Sequence, residues 1–310
     1  MDSENEIFFE LVDHTVKSVT KTLDNNAHWY VQQYRIPELR QKYGVTGKKI
    51  RVAVVDTGVC TTHPELQGIV ARDCTGEGPE DIDGHGTHCC GIVRSVAPDA
   101  EIISIKVFDK NNRAVLRSLV KALNNIMNGV YGNIDVINMS LGSGEPNQEM
   151  RMILLKLSAK GKIIICAAGN EFDHTAKDAP RFGTVSWPAH FNSTLAVGSV
   201  NVNKNRSKFS SSGPKITIMA PGEDIPSTWI NREYATLSGT SMASPFVCGC
   251  MALLLEKCLN EGLPSPDMSK LLWIIAVSST DLEKKGFDYF TGYGLISPDK
   301  LIEEYIKLFN

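Results

Sequence analysis

Short apolar runs recur along the chain, and each is long enough for one buried strand. They are rich in Val and Ile and are separated by segments with helical periodicity, near 114–130 and 147–160. The runs are KIRVAVVD (49–56), EIISIKVF (101–108), IDVINMSL (134–141), KIIICAAG (162–169) and TLAVGSV (194–200). Continuous apolar strands that alternate with helices are typical of a parallel sheet covered on both faces. The pattern therefore predicts an α/β fold of three layers, with a mostly parallel, twisted sheet and helices on both faces.

The beginning of the chain does not follow this alternation of strands and helices. It is acidic in MDSENE and then amphipathic, with apolar residues at Ile7, Phe8, Leu11 and Val12. We predict an N-terminal extension over 1–23, followed by one large domain over 24–310, a size that suits a single α/β domain.

The composition narrows the class of protein. Hydrophobic residues make up 42% and charged residues 22% of the chain, as in globular proteins with a large core. The net charge of −3 and the lack of a long basic run argue against nucleic acid as a partner. The apolar run VCGCMALLLEKCL is too short for a membrane span and is interrupted by charges, so we expect none.

The cysteines and the N-terminus predict a compartment. The eight cysteines lie mostly in apolar segments, without the paired spacing of a zinc site, so we expect reduced and buried thiols. The N-terminus lacks the basic start and apolar core of a secretory signal. Both features predict a cytoplasmic location.

Parallel sheets place their functional residues at the carboxyl ends of the strands. Four polar residues lie at such a strand end or at the start of a predicted helix. Asp56 ends the first strong strand, and Asn170 directly follows the strand at 162–169. His85 begins a predicted helix in DGHGTHCCG, and Ser241 precedes the apolar helix that starts in GTSMASPFVCG. Singly, each has an ordinary explanation as a turn former, a helix cap or, for His85 with the nearby His88, a metal ligand.

Together the four residues suit nucleophilic acyl transfer. A serine hydroxyl is a weak nucleophile until an imidazole removes its proton, and the imidazole needs a carboxylate to orient it. The oxyanion that forms needs preorganised donors, which the Asn170 amide and the N–H groups at the Ser241 helix start would supply. We predict Asp56, His85 and Ser241 as a catalytic triad and Asn170 as part of the oxyanion hole, and we assign no metal ligands.

At these motifs the chain resembles the subtilase family of serine endopeptidases. Within that family it is most similar in type to the intracellular subtilisins. VAVVDTGVCTTHPEL, DGHGTHCCG, CAAGNE and LSGTSMASPFVCG occur in the family order, and Asp, His and Ser follow one another as in the subtilisin triad. INMSLG and FSSSGPKITIMAPG match as well, so the resemblance covers about residues 28 to 300. It implies a subtilisin-like fold and hydrolysis of peptide bonds through an acyl-enzyme, in intracellular protein degradation or in the maturation of a specific protein.

The resemblance also implies how an extended peptide or protein substrate binds. Ser140, Leu141 and Gly142 would form an edge that pairs with the substrate backbone. The primary specificity pocket would be bounded by Ala167, Ala168, Gly169 and, at its base, Ser186. The resemblance further implies a cis bond between Trp187 and Pro188.

Two departures from the family concern calcium. The helix after His85 leaves no room for the calcium-binding loop of many secreted subtilisins, and Glu65 stands where an Asp is usual. We therefore expect no cofactor for the chemistry and no high-affinity calcium loop. Structural calcium elsewhere stays open, for example in the acidic loop EGPEDID at 77–83, which a solvated loop also explains.

Three alternatives concern function. The extension at 1–23 is predicted to inhibit the enzyme. The alternatives for this segment are a disordered tail or a packed surface helix, neither of which would inhibit it. A catalytically silent binding protein on the same scaffold is disfavoured, because the four residues of the predicted site are all present. An esterase would use the same acyl chemistry but would not need the peptide-pairing edge.

Overall fold

The structure, a computed structural model, describes residues 8–12, 14–23, 28–171 and 183–309. Its strands are β1 (Phe8–Leu11), β2 (Thr15–Thr20), β3 (Arg51–Asp56), β4 (Val70–Asp73), β5 (Glu101–Lys106), β6 (Arg113–Val115), β7 (Val136–Met139), β8 (Leu141–Gly142), β9 (Ile163–Ala167), β10 (Leu195–Val200), β11 (Ile216–Pro221), β12 (Ile225–Thr228) and β13 (Tyr234–Ser238). Its helices are α1 (Trp29–Gln33), α2 (Ile36–Tyr43), α3 (His85–Val96), α4 (Leu116–Met127), α5 (Gln148–Ala159), α6 (Thr240–Glu261), α7 (Met268–Ser278) and α8 (Pro298–Lys307).

The core of the fold is one parallel sheet of seven strands, in the order β11-β10-β9-β7-β3-β5-β4. Helices α3 and α6 pack against each other and on this sheet, and α4 packs against α5. The α/β fold with helices around a parallel sheet is thus confirmed. The predicted strands at 49–56, 101–108, 134–141, 162–169 and 194–200 are all present, each shorter than its apolar run or, at 134–141, divided between β7 and β8.

Helix α6 contradicts the expectation that no segment is long and apolar enough to span a membrane. It has 22 residues and, by length and composition alone, is apolar enough to cross a membrane. The apolar run at 247–259 is shorter than the helix because it leaves out the first two turns, which begin at Thr240. However, 89% of the most apolar window is buried inside the protein, where α6 packs against α3, β9 and β10. It is therefore the core helix of the fold.

A buried carboxylate ties α6 to the loop before β3. Glu256 is only 5% exposed, and its Oε2 accepts hydrogen bonds from the N–H groups of Thr46, Gly47 and Lys48 at 2.6, 2.6 and 3.0 Å. Three donors therefore depend on one oxygen.

Replacing Glu256 by alanine is expected to lower the free energy of unfolding by about 2–4 kcal/mol, because three N–H groups lose their acceptor. Denaturant unfolding measures this. The matched control is Glu261→Ala on the same helix, since Glu261 forms only a partly exposed ion pair with Lys257, and its loss is expected to cost less than about 1 kcal/mol. Equal midpoints for the two variants would contradict the prediction.

The extension forms two strands, in two separate small sheets, rather than a surface helix. One sheet has the order β6-β1-β8 and the other β12-β13-β2. The predicted apolar positions are only partly right: Val12 is buried, but Phe8 is 40% exposed whereas Phe9 is fully buried. In a strand neighbouring side chains point to opposite sides, so only one of the two phenylalanines faces inward. Ile7 lies outside the described residues.

The thiol prediction is confirmed. All eight cysteines are free, and every one except Cys60 is buried. The bond between Trp187 and Pro188 is cis, as the family resemblance implied.

Candidate active site

Asp56 and His85 meet at the carboxyl edge of the sheet. Strand β3 ends at Asp56 and α3 begins at His85, and the Nδ1–H of His85 donates to Oδ1 of Asp56 at 2.7 Å. Both side chains are fully buried. Burial alone would lower the pKa of His85, but the charge of Asp56 and this hydrogen bond outweigh it, so the pKa is raised above its usual value. The imidazole is therefore oriented and made more basic by the carboxylate.

Ser241 lies in the first turn of α6, close to the same imidazole. The thiol of Cys89 contacts both groups, with Sγ 3.9 Å from Nδ1 of His85 and 3.5 Å from the carbonyl oxygen of Ser241. The Ser241 hydroxyl donates to the carbonyl of Ser140 at 3.5 Å. Nε2 of His85 has no hydrogen-bond partner within the described ranges. The arrangement thus contains the carboxylate–imidazole bond but not the bond between the imidazole and the hydroxyl.

A buried polar cluster supports the Ser241 turn from behind. The hydroxyl of Ser140 donates to the carbonyl of Ser241 at 3.0 Å, and Asn138 donates to Ser140 Oγ at 3.0 Å. The hydroxyl of Ser244 donates to Asn138 Oδ1 at 2.6 Å. Since these groups are buried, each bond restricts the others. Sequence reasoning missed Asn138, although an amide inside the buried strand INMSL is a visible signal.

Asp81 was also missed, because the acidic loop at 77–83 reads as solvated. The structure contradicts that interpretation for this residue, which is buried. Its Oδ1 accepts from the Thr57 hydroxyl at 2.9 Å and its Oδ2 from the Thr87 hydroxyl at 2.5 Å. Gly84 N–H also donates to it, at 2.9 Å. Asp81 therefore joins the turn after Asp56 to the start of the His85 helix.

His88 does not share a site with His85. Its Nε2 lies 3.0 Å from the carbonyls of both Ile225 and Ala235, which connects α3 to β12 and β13. Burial is the main reason that its pKa is lowered to about 3, so it is neutral. The metal-type cluster that the described residues do form is Asp56, His85 and Cys89. Burial raises the pKa of the Cys89 thiol well above its usual value, which disfavours the thiolate that a metal needs.

Asn170 is held beside the start of α6. Its Oδ1 accepts from the N–H of Thr240 at 2.9 Å, and the Thr240 hydroxyl accepts from the N–H of Gly169 at 3.1 Å. These bonds fix the orientation of the Asn170 amide next to the Ser241 turn.

A pocket of about 540 Å³ adjoins this turn. Of the four residues predicted to bound it, Gly169 and Ser186 line it, as does Gly142 of the predicted substrate-pairing edge. Ala167 and Ala168 are fully buried behind it and do not line it. The carbonyl of Ala168 instead accepts from the N–H of Ser186 at 2.9 Å and so holds Ser186 in place.

The chain's own extension occupies the groove next to the pocket. Strand β1 lies antiparallel between β6 and β8, with Glu10 opposite Gly142 and Leu11 opposite Leu141. Continuing this register places Val12 opposite Ser140, the residue whose carbonyl accepts from the Ser241 hydroxyl. Val12 also lines the pocket.

His14 then packs on the His85 ring, with ring centroids 4.8 Å apart. Burial and, secondly, the neighbouring His85 lower the pKa of His14 to about 4. From His14 the chain continues into β2, which pairs with β13 directly before the Ser241 turn. The described parts of the extension thus lie along β8, the His85 ring and β13.

Comparison with known proteins agrees with this geometry. The subtilase family profile matches residues 47–294. The major intracellular serine protease of Bacillus subtilis (strain 168) is 34% identical over 298 residues, which cover 88% of this chain and 89% of that protein. Subtilisin DY of Bacillus licheniformis is 33% identical over 279 residues, 85% of this chain and 96% of that protein. Subtilisin E of Bacillus subtilis (strain 168) is 35% identical over 253 residues, 76% of this chain and 64% of that protein.

A parallel α/β sheet that brings a carboxylate, an imidazole and a helix-start serine to one edge defines a serine hydrolase. The chain belongs to the subtilase family, and it is a subtilisin-like serine protease.

Proposed function

We propose that this chain hydrolyses peptide bonds through an acyl-enzyme formed on Ser241. His85 takes the proton from the Ser241 hydroxyl and later gives it to the leaving amine, while Asp56 orients the imidazole and stabilises its charged form. The observation that carries the proposal is the buried 2.7 Å bond between Asp56 and His85, which is placed beside the Ser241 turn.

The oxyanion is assigned to two donors, the side-chain amide of Asn170 and a backbone N–H at the Ser241 start of α6. The bond from Thr240 N–H to Asn170 Oδ1 supports this role, because it turns the oxygen toward the helix and presents the amide nitrogen at the other edge of the group. In this scheme the chemistry requires no cofactor, and any bound calcium is structural.

Substrate is proposed to bind as an extended strand along Leu141 and Gly142, with one side chain in the pocket at Gly169 and Ser186. The chain's own pairing with this edge supports the assignment, since β1 already shows that a strand fits there. An esterase would gain nothing from such an edge.

The test is covalent labelling of the protein by a fluorophosphonate probe, read by intact mass. One adduct is expected, and it should be absent from Ser241→Ala. If the folded wild type, with or without residues 1–23, takes up no probe, the silent-scaffold alternative replaces this proposal.

The extension over 1–23 is proposed to be autoinhibitory. Its residues fill the groove on β8, cover the His85 ring and leave the Ser241 hydroxyl bonded to Ser140. A segment bound in this way excludes a substrate strand from the same edge.

A cytoplasmic role is proposed as well, in protein degradation or in the maturation of one protein. The free, buried cysteines support it, and so does the similarity to a relative whose name describes it as intracellular.

Inhibition by the extension is expected to weaken in acid because of His14. Released His14 should titrate near pH 6.5, whereas bound His14, which faces His85, Asp83 and Asp56, has a pKa of about 4. Because the pKa of His14 is lower in the bound state, protonation favours release of the segment. The affinity of the segment for the site is therefore highest above pH 6.5 and falls as the pH drops toward 4. Linkage gives about 30-fold weaker binding at pH 5 than at pH 8.

Fluorescence anisotropy of a labelled peptide of residues 1–23, added to the Ser241→Ala protein lacking that segment, measures this affinity. A His14→Gln peptide is the control, because it keeps every other titrating group. Identical pH profiles for the two peptides would show that His14 is not responsible.

A further inference from the structure

Strand β13 presents an outer edge that leads directly to the nucleophile. It ends at Ser238, three residues before Ser241, and its inner neighbour is β12. The outer edge pairs antiparallel with β2, from Tyr234 opposite Thr20 to Ser238 opposite Thr15. Any extended segment on this edge therefore begins beside the reacting hydroxyl and runs away from it.

The path of the extension shows which part of a substrate would lie there. Residues 8–11 pair with β6 and β8, and continuing this register brings Val12 opposite Ser140, whose carbonyl accepts from the Ser241 hydroxyl. Residues 15–20 follow on β13 after His14 has crossed the His85 ring. A substrate strand on β8 in the same direction would thus place the residues that follow its scissile bond along β13.

Main-chain pairing holds the segment on β13. Every residue of β2 is exposed, including Val16 at 45% and Val19 at 46%, so no side chain of this strand is enclosed in a pocket. Backbone pairing without side-chain pockets gives affinity with little sequence selectivity.

One charged group on this edge adds a preference. Lys17 forms an ion pair with Asp224, and the Ser238 hydroxyl donates to the same carboxylate oxygen at 3.1 Å. Lys17 is the fifth residue after Val12. A substrate with a basic residue at that distance after its scissile bond would meet the same carboxylate.

We propose that β13 is a second peptide-binding edge, which pairs with about six residues on the carboxyl side of the cleaved bond and favours a basic residue at the fifth position. The inference rests on the proposed peptidase function and extends it to a substrate class: long, extended polypeptide segments rather than short peptides.

The test uses the full-length chain with Phe9→Asp, Lys17→Ala and Ser18→Pro. These changes remove the buried anchor of β1, the ion pair with Asp224 and the backbone pairing of β2, so that added peptides can reach both edges. Peptides share one sequence before the cleaved bond and have either two or eight residues after it. The longer peptide is expected to have a kcat/KM at least tenfold higher. N-methylation of its amides is expected to lower kcat/KM at alternate positions only, as for a paired strand.

A second comparison isolates Asp224. With Lys rather than Glu at the fifth position, kcat/KM is expected to be about two- to fivefold higher, the scale of a surface ion pair. Asp224→Asn should abolish this preference. Glu223→Gln should keep it, because the neighbouring Glu223 takes part in no ion pair within the described ranges.

Equal kcat/KM for the short and long peptides would overturn the inference and leave the peptidase function intact. Cleavage of none of the peptides would overturn both.

Discussion

Removal of residues 1–23 is expected to raise kcat/KM on a peptide substrate by about 100-fold. A tethered segment competes at an effective concentration of about 1 mM, which gives this factor if the free segment binds with a dissociation constant of about 10 µM. Initial rates on one fluorogenic peptide, for the full-length and shortened chains at pH 8, measure it. The competing segment is the one that pairs with β8 and packs on His85.

Two neighbouring substitutions in the full-length chain separate groove occupancy from general damage. Phe9→Ala removes a fully buried anchor and should recover a large part of the increase, whereas Phe8→Ala alters a partly exposed ring and should change the rate less than fivefold. Equal rates for the full-length and shortened chains would show that the extension does not restrain the enzyme.

Replacing Ser241 by alanine in the shortened chain is expected to lower kcat by about 10⁶-fold, the size of loss that the equivalent change causes in subtilisin itself. His85→Ala should cost about as much, and the double variant hardly more, because the two residues act as one unit. Single-turnover and steady-state rates on the same peptide measure these losses.

Ser244→Ala is the matched control. Ser244 is buried three residues further along the same helix and donates to Asn138, so it supports the turn without touching the reacting hydroxyl. Its loss is expected to lower kcat less than tenfold. A comparable loss in both serine variants would indicate that Ser241 acts through packing rather than as the nucleophile.

The sequence predicted the central part of the fold because apolar strands and amphipathic helices are local patterns. It missed β4, whose sequence VARD is charged and partly exposed, and β11, which does not stand out beside the loop before it. The parallel sheet and its helices followed from the alternation alone.

Some contacts of the candidate site could not be predicted from the sequence, for a different reason. Asp56 and His85 stand at element ends, which sequence reveals, and the structure joins them. The partners of Asp81 and the pairing of the extension with β8 and β13 depend on contacts between distant parts of the chain. No local pattern encodes them, so an acidic loop and an amphipathic segment were all that the sequence offered.

The order of the elements along the chain has a consequence for biosynthesis. Strands β1 and β2 are made first, whereas the Ser241 turn and β13 are made after more than two thirds of the chain. At about 5–20 residues per second, residue 241 follows residue 20 by roughly 10 to 45 s. The segment that is proposed to inhibit the enzyme therefore already exists, on the same molecule, when β13 and Ser241 are made. If this segment inhibits as proposed, a newly made enzyme needs no separate inhibitor before its site is complete, and the inhibition does not depend on how many copies the cell contains.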